Sequence, residues 1–541
     1  MPQIIPTFLH LNLADQNFEV KSYEEFVPKV GGLGWALSIY EKFIDDDPIV
    51  FAIGPLSGIF PGASKTIAVF KSPQTGGLTT SLAGGHLARF LRFAGYQGVL
   101  ITGKAPTPVL VSVDEETADF GDATPLLSLE VPKIFEQIFS SEGIPGRRSV
   151  VVTGPAAELG FTYAPLYLDE FFSFPRGGLG RAFAQKNLKG FVVSGTKGEF
   201  VENERRYNEV FLSLIKSLKG YRELSQLGTL RNLTVEKKIS GVPFENLRES
   251  NFESDELAAP QFLRGIFGKR VSCGGCPVGC IHLLRFGDKY TFYDYEGVVS
   301  LGPLLGLTKQ EDVGQLLARA WGLGLDPTSA GAVLSYLTEK EKLAFGNLET
   351  YRDLLTALVT SNEEWALQLR SGLPDEEQAL TVGGMEFLPY FNGYASILSQ
   401  ILRLGATTEE NCGFILDLDL LQKEISAKAV VNQLVLAQEK KTLSELLIGC
   451  GYLANVYEDP GVAFGALGAT GSSISHEQLL AAAKSIFRHK LMLQKRLGFE
   501  PLDVKIPEKF FRIPTPAGFL QKDKLREMIK IYVHDVYEQA N

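Results

Sequence analysis

A chain of 541 residues is too long for one hydrophobic core, so roughly two to four domains are expected. With 45% apolar and 21% charged residues it can bury a sizeable core unaided, and five cysteines are too few for a disulfide framework. A formal charge of −10 argues against general nucleic-acid binding; no stretch reaches the roughly 20 apolar residues of a membrane span, and the N-terminus lacks a secretory pattern, so a soluble, cytoplasmic protein is expected.

The first 200 residues are rich in Gly, Val, Ile and Phe. Short β-type runs recur at Ile49–Ile53, Thr66–Lys71, Gly98–Thr102, Val109–Val113, Ser149–Thr153 and Gly190–Ser194. Gly-rich turns separate most of them, and two helical patterns interrupt them, Ala36–Phe43 and Gly85–Phe93. From about Asn203 the period changes to 3.6 residues. Helices are expected at Arg205–Leu227, Gln310–Trp321, Ala330–Phe345, Thr350–Thr360 and Asn362–Ser371. Others are expected at Ala395–Leu404, Asp419–Glu439, Thr442–Asn455, Ser475–Leu497 and Gln521–Glu538. The fold class is therefore α+β. A β-rich domain (1–200) precedes two mainly α-helical domains, 201–395 with a cysteine cluster and 396–541 with a further cysteine. The inner division is placed by the mixed turn chemistry of 372–411.

Between the first two long helical stretches lies Cys273-Gly-Gly-Cys276-Pro-Val-Gly-Cys280. Thiolates two and three residues apart converge on one metal centre if the chain turns sharply, and Gly274, Gly275 and Gly279 remove the side chains that would resist the turn. Three readings compete: buried structural thiols, a Cys3His zinc site using His282, and an iron–sulfur cluster. The glycines argue against the first, and the tight Cys280-x-His282 step against the second. A four-iron cluster needs a fourth thiolate, which must come from far along the chain, at Cys412 or Cys450. The basic residues just ahead, Arg264, Lys269 and Arg270, read as a solvated loop.

The cysteine segment resembles that of the aldehyde ferredoxin oxidoreductase family, with C-x2-C-P-x-G-C and a distant fourth cysteine. Ordered segments elsewhere strengthen the resemblance: Gly54-Pro-Leu-Ser-Gly58, Lys71-Ser-Pro73, Gly84-Gly85, Phe93-Ala-Gly-Tyr96, Gly103-Lys104, Gly154-Pro-Ala156, Arg176-Gly-Gly-Leu-Gly180 and Lys186-Asn-Leu-Lys189. The resemblance implies that the first domain is the base for two pterin dithiolenes chelating tungsten (or molybdenum), with Mg2+ bridging the pterin phosphates. It assigns cofactor contacts to Gly84, Gly85, Arg176, Gly177 and Gly178, and to Lys65, which stands where the family prefers Arg. Gly322-Leu-Gly-Leu-Asp326 is similar to the family's D-x-x-G-L-D segment, with Trp321 in place of the first Asp, so Asp326 is a pterin contact. Glu445-Leu-Leu-Ile-Gly449-Cys450 corresponds to D-x-x-G-x-C. That makes Cys450 the fourth ligand of a [4Fe–4S] cluster with Cys273, Cys276 and Cys280, and places Glu445 and Gly449 at the pterin.

By the same resemblance Glu296 is the catalytic carboxylate, a proton relay whose aromatic surroundings would raise its pKa. The family's active-site His should lie in Leu404–Gly413, which holds no His; Phe414-Ile-Leu replaces the Lys expected next. The resemblance therefore implies an oxidoreductase that interconverts aldehydes and carboxylic acids and passes electrons to ferredoxin or an electron-transfer subunit. The substitutions motivate a second reading, a divergent or non-catalytic iron–sulfur electron-transfer subunit. A small carbonyl substrate and a homodimer complete the expectations.

Overall fold

The computed structural model describes residues 4–141, 147–197, 201, 203–407, 409–421 and 423–540. The expected boundary at residue 200 and Thr408 of the Leu404–Gly413 turn lie outside the described residues.

All six expected N-terminal strands are present, within two two-layered, mixed six-stranded sheets. The first runs Asn17–Ser22, Thr7–Asn12, Gly98–Thr102, Ile49–Ala52, Thr66–Lys71, Leu78–Ala83. The second runs Phe172–Phe174, Leu166–Leu168, Arg148–Thr153, Leu188–Ser194, Val109–Val113, Ala118–Asp122. Ile49–Ala52 is apolar and buried at every position because both its faces are covered. Ile49 and Phe51 face the second sheet, where Phe51 meets Phe174 and Phe191 edge-on at 5.3 and 5.4 Å. Val50 and Ala52 face helix Gly32–Lys42 and the C-terminal segment 443–457.

Two helices were not expected here, Val131–Ser141 and Leu179–Gln185. The first buries Ile134, Phe135 and Ile138 on one face, a period hidden in a stretch otherwise read as loop. The second is only 7 residues long.

The expected later helices are present with corrected bounds, Ala330–Phe345 for example being observed as Pro327–Lys340, and Arg231–Ile239, Tyr295–Leu301 and Pro460–Ala469 were not expected. Arg205–Leu227 is broken by a 3-10 turn at Lys219–Tyr221, next to Gly220, into Glu204–Leu218 and Arg222–Leu227. Asp419–Glu439 and Thr442–Asn455 are instead Gly413–Leu420 and one continuous helix Ala427–Leu447. Ser426 caps that helix by accepting from the Ala429 N–H, which moves its start past Asp419. Ser475–Leu497 is observed as His476–Arg496, with Ser475 and Gln478 forming a capping box.

Buried side chains of 230–379 mainly form one core, and those of 380–540 mainly another. A three-stranded antiparallel sheet, Phe267–Val271, Ile281–Phe286 and Lys289–Tyr293, stands beside the first of these and carries the cysteines.

Candidate cofactor site between the sheet base and the helices

The cysteine segment is the loop of a β-hairpin. Val271 pairs with Ile281, so residues 272–280 must reverse the chain. Gly275 and Gly279 take φ values of 75° and 63°, the left-handed region where side chains clash. The loop is pinned to the sheet base. The Gly274 N–H donates to Gly85 O at 2.9 Å, and Ser64 Oγ–H donates to Gly274 O at 2.5 Å. A Cβ on Gly84 would stand 2.5 Å from Cys273 Sγ, so this close approach requires glycine.

Cys450 arrives from the opposite direction. Helix Ala427–Leu447 ends as Ile448 turns left-handed at φ 57°, and the Cys450 N–H then donates to Gly62 O at 3.0 Å. Gly54 lets the backbone of this segment touch the sheet base: its Cβ would lie 2.4 Å from Leu447 O.

All four expected cysteine ligands line one cavity of about 120 Å³, together with Lys65 and Gly84. Burial pushes all four thiols up, Cys280 to about 12, while the nearby Lys65 ammonium works the other way. Such thiols ionise when a metal centre supplies the compensating charge. Among the described residues no three His, Cys, Asp or Glu side chains gather closely enough for a single metal ion. His282 is turned away by strand alternation, with Nε2 at 3.1 Å from Ser225 O and Nδ1 at 3.4 Å from Tyr293 Oη. Cys412 lines neither this cavity nor its neighbour; it precedes helix Gly413–Leu420, and burial raises it to about 12.

A second cavity, of about 90 Å³, shares a wall with the first, including Pro175, Phe292, Asp294, Glu409 and Tyr452. Arg176, Glu296 and Asp326 line it. Arg176 is 4% exposed and follows Pro175 into a turn where residues 176, 177 and 178 all have positive φ. Its Nη2 donates to Glu386 O, but Nε and Nη1 have no protein partner. Two orphaned, buried guanidinium donors beside a cavity are what a missing anionic or acceptor ligand would satisfy. Asp326 caps helix Pro327–Lys340, accepting from Ser329 N at 2.8 Å and Ser329 Oγ at 2.9 Å. It therefore has a structural task as well as a place in the cavity wall. Burial raises its pKa against the pull of Arg176.

Glu296 sits in the first turn of helix Tyr295–Leu301, which Asp294 caps through the Gly297 N–H at 2.8 Å. Burial pushes Asp294 up to about 6, and Asp326 adds to the shift. Two buried carboxyls thus flank Glu296 in one wall.

The remaining expected contacts fall outside both linings. Gly85, Gly177 and Gly178 serve tight packing: Ser72 Oγ–H donates to Gly177 O at 2.7 Å, and a Cβ on Gly178 would meet Thr162 O at 1.8 Å. Gly449 packs on Tyr457. Glu445 is fully enclosed with neither carboxylate oxygen partnered, and burial raises it to about 7. Trp321 packs among Val131, Ile134 and Phe135 rather than standing in for an aspartate.

The sequence reading missed Glu409 and Tyr452, which line both cavities, and Thr407, which lines the second. Glu409 carried one signal: it lies in the turn singled out for lacking a histidine. Among the described residues no histidine lines either cavity.

Comparison with known proteins agrees with this architecture. Residues 8–195 match the family model "Aldehyde ferredoxin oxidoreductase, N-terminal domain", and residues 207–367 match "Aldehyde ferredoxin oxidoreductase, domains 2 & 3". The tungsten-containing aldehyde ferredoxin oxidoreductase of Pyrococcus furiosus is 24% identical over 586 residues, covering 97% of this chain and 94% of that protein. The aliphatic sulfonate oxidoreductase, WOR-like subunit, of the same organism is 27% identical over 386 residues, 63% of this chain and 62% of that one. Among solved structures, the active site complex BamBC of benzoyl coenzyme A reductase with 1,5 dienoyl-CoA superposes with a TM-score of 0.80 at 20% identity. It covers 98% of this chain and 93% of that chain, a likeness of fold.

Proposed function

Because this chain belongs to the aldehyde ferredoxin oxidoreductase family, whose two models together span nearly two thirds of it, we propose that it is a tungsten-pterin oxidoreductase with a [4Fe–4S] cluster on Cys273, Cys276, Cys280 and Cys450. The supporting observation is that these four thiols, from segments about 170 residues apart, line one cavity that shares a wall with a second one holding Arg176, Asp326 and Glu296. When bound, the metal–pterin centre would supply two-electron exchange with the substrate carbon, and the cluster single-electron transfer onward.

The chain's own residues do the rest. Arg176 would offer Nε and Nη1 to a pterin or phosphate acceptor, and Asp326 would accept from pterin N–H groups. Oxidation of an aldehyde takes an oxygen from water and releases two electrons and two protons. Glu296, in the wall of the second cavity, would accept or return one of those protons at its carboxylate. Tyr452, Phe292, Pro175 and Leu388 would keep bulk water from the site. Electrons would leave to ferredoxin or to a second subunit; the named relatives include a WOR-like subunit and a BamBC complex. Among the described residues no helix is long and apolar enough to cross a membrane.

A second reading, a divergent member that does not oxidise simple aldehydes, is favoured by the absence of histidine from both cavities. Metal analysis of anaerobically purified protein tests both. Iron near four per chain with one tungsten or molybdenum supports the enzyme; iron alone supports an electron-transfer subunit. Stoichiometric zinc without iron would overturn the cluster. Aldehyde-dependent reduction of a viologen dye by tungsten-loaded protein then separates the enzyme from its divergent alternative.

A further inference from the structure

The wall between the two cavities contains a buried ion pair that joins three separate segments. Lys65 Nζ lies 2.6 Å from Glu409 Oε2, with the two side chains 10% and 7% exposed. The other oxygen of Glu409 accepts from the Gly451 N–H at 2.7 Å, immediately after Cys450. Lys65 also stands 5.9 Å from the centre of the Tyr452 ring. The sheet base, the 404–413 turn and the cysteine-bearing segment thus meet at one carboxylate.

The charges are placed unequally toward the sulfurs. Burial opposes the Lys65 charge, but Glu409, Cys450 and Cys273 together hold its pKa above the usual lysine range. Lys65 and Lys441 likewise hold Glu409 below the usual carboxylate range. At 2.6 Å the two groups form an ion pair in the lining that they share with the four cysteines. A fixed cation favours the reduced, more negative state of any cluster held there, and a fixed anion disfavours it.

We propose that Glu409 is a positioning residue that holds Lys65 beside Cys273 and Cys450 and, with it, forms an opposed charge pair setting the reduction potential of the cluster. Glu409 lies in the Leu404–Gly413 turn, which holds no histidine. The inference rests on the cluster assignment.

The test is an EPR-monitored redox titration of anaerobically reconstituted wild type, Lys65→Met, Glu409→Gln and the double variant, with iron content measured throughout. Gln retains an acceptor for Gly451 N–H. Lys65→Met should lower the midpoint and Glu409→Gln raise it, each changing the reduced-to-oxidised ratio at fixed potential about tenfold, which for one electron is about 59 mV. The double variant should return near wild type. Shifts of the same sign, or none, in variants that keep four irons would overturn the proposal while leaving the cluster standing. If a single variant loses its iron, the double variant decides: retained iron with a near-wild-type midpoint supports the charge pair, and lost iron replaces it with a packing role. Wild type without iron overturns the cluster reading and this inference together.

Discussion

The two adjoining cavities are built by different rules. The cysteine cavity takes three of its cysteines from one nine-residue hairpin loop, whose turn chemistry is local. The neighbouring cavity takes Arg176, Glu296, Asp326 and Glu409 from four distant segments, and no two of them are close in sequence. A local loop preserves its geometry when its own few residues are kept. A composite wall can change one segment at a time. The first cavity holds all four expected cysteines, whereas among the described residues no histidine lines the second.

The sharpest way to break this contrast is at the fourth cysteine, the one ligand that is not local. Cys450→Ala should abolish the cluster EPR signal and most bound iron, while Cys412→Ala, outside both linings, should leave both unchanged. The reverse result would exchange the two assignments.

In the second cavity Glu296→Gln should reduce turnover by about a hundredfold, the lower range for loss of a general acid–base, with iron and tungsten content unchanged. Metal loss in that variant would make Glu296 a structural residue instead. Arg176→Met should have a smaller, mixed effect. Tungsten–pterin content should fall several-fold, yet the metal-free protein should lose only about 1 kcal/mol, because just one guanidinium nitrogen has a protein partner. A large loss of metal-free stability would show that Arg176 holds the fold rather than the cofactor.

The smallest effect concerns a buried carboxyl outside both linings. Glu236 is buried, accepts from Asn392 Nδ2 at 3.1 Å through one oxygen, and is pushed up to about 8, chiefly by burial. A carboxyl whose folded-state pKa is raised adds stability at low pH, and loses it as the pH climbs from about 4.5 through about 8. The melting temperature of the metal-free protein should therefore fall across that window. Glu236→Gln should flatten the decline, and identical pH profiles would show that Glu236 does not titrate there.

Much of this was legible before any coordinates. The β-rich first region and the long helices follow from hydrophobic period, which depends on residues a few positions apart. Cys273, Cys276 and Cys280 announce themselves for the same reason. Helix ends such as Ser426 and the break at Gly220 were misjudged because caps and local turns compete with period over one or two residues. The glycine segments were legible as tight places but not as to what presses on them. Gly84 accommodates the Cys273 sulfur, Gly54 the backbone beside Leu447, and Gly178 the carbonyl of Thr162.

The sequence by itself determined the β-rich first region and the helical remainder, the cysteine loop and the family, because each depends on short-range pattern or on ordered motifs. Tertiary structure alone decided that Cys450 shares a cavity with the hairpin loop, that Glu445 lies outside it, and that Glu409 grips Lys65. Those facts depend on contacts between residues hundreds of positions apart. The pair Lys65–Glu409 is separated by 344 residues, and only the packing of helices onto the sheet base brings such charges together.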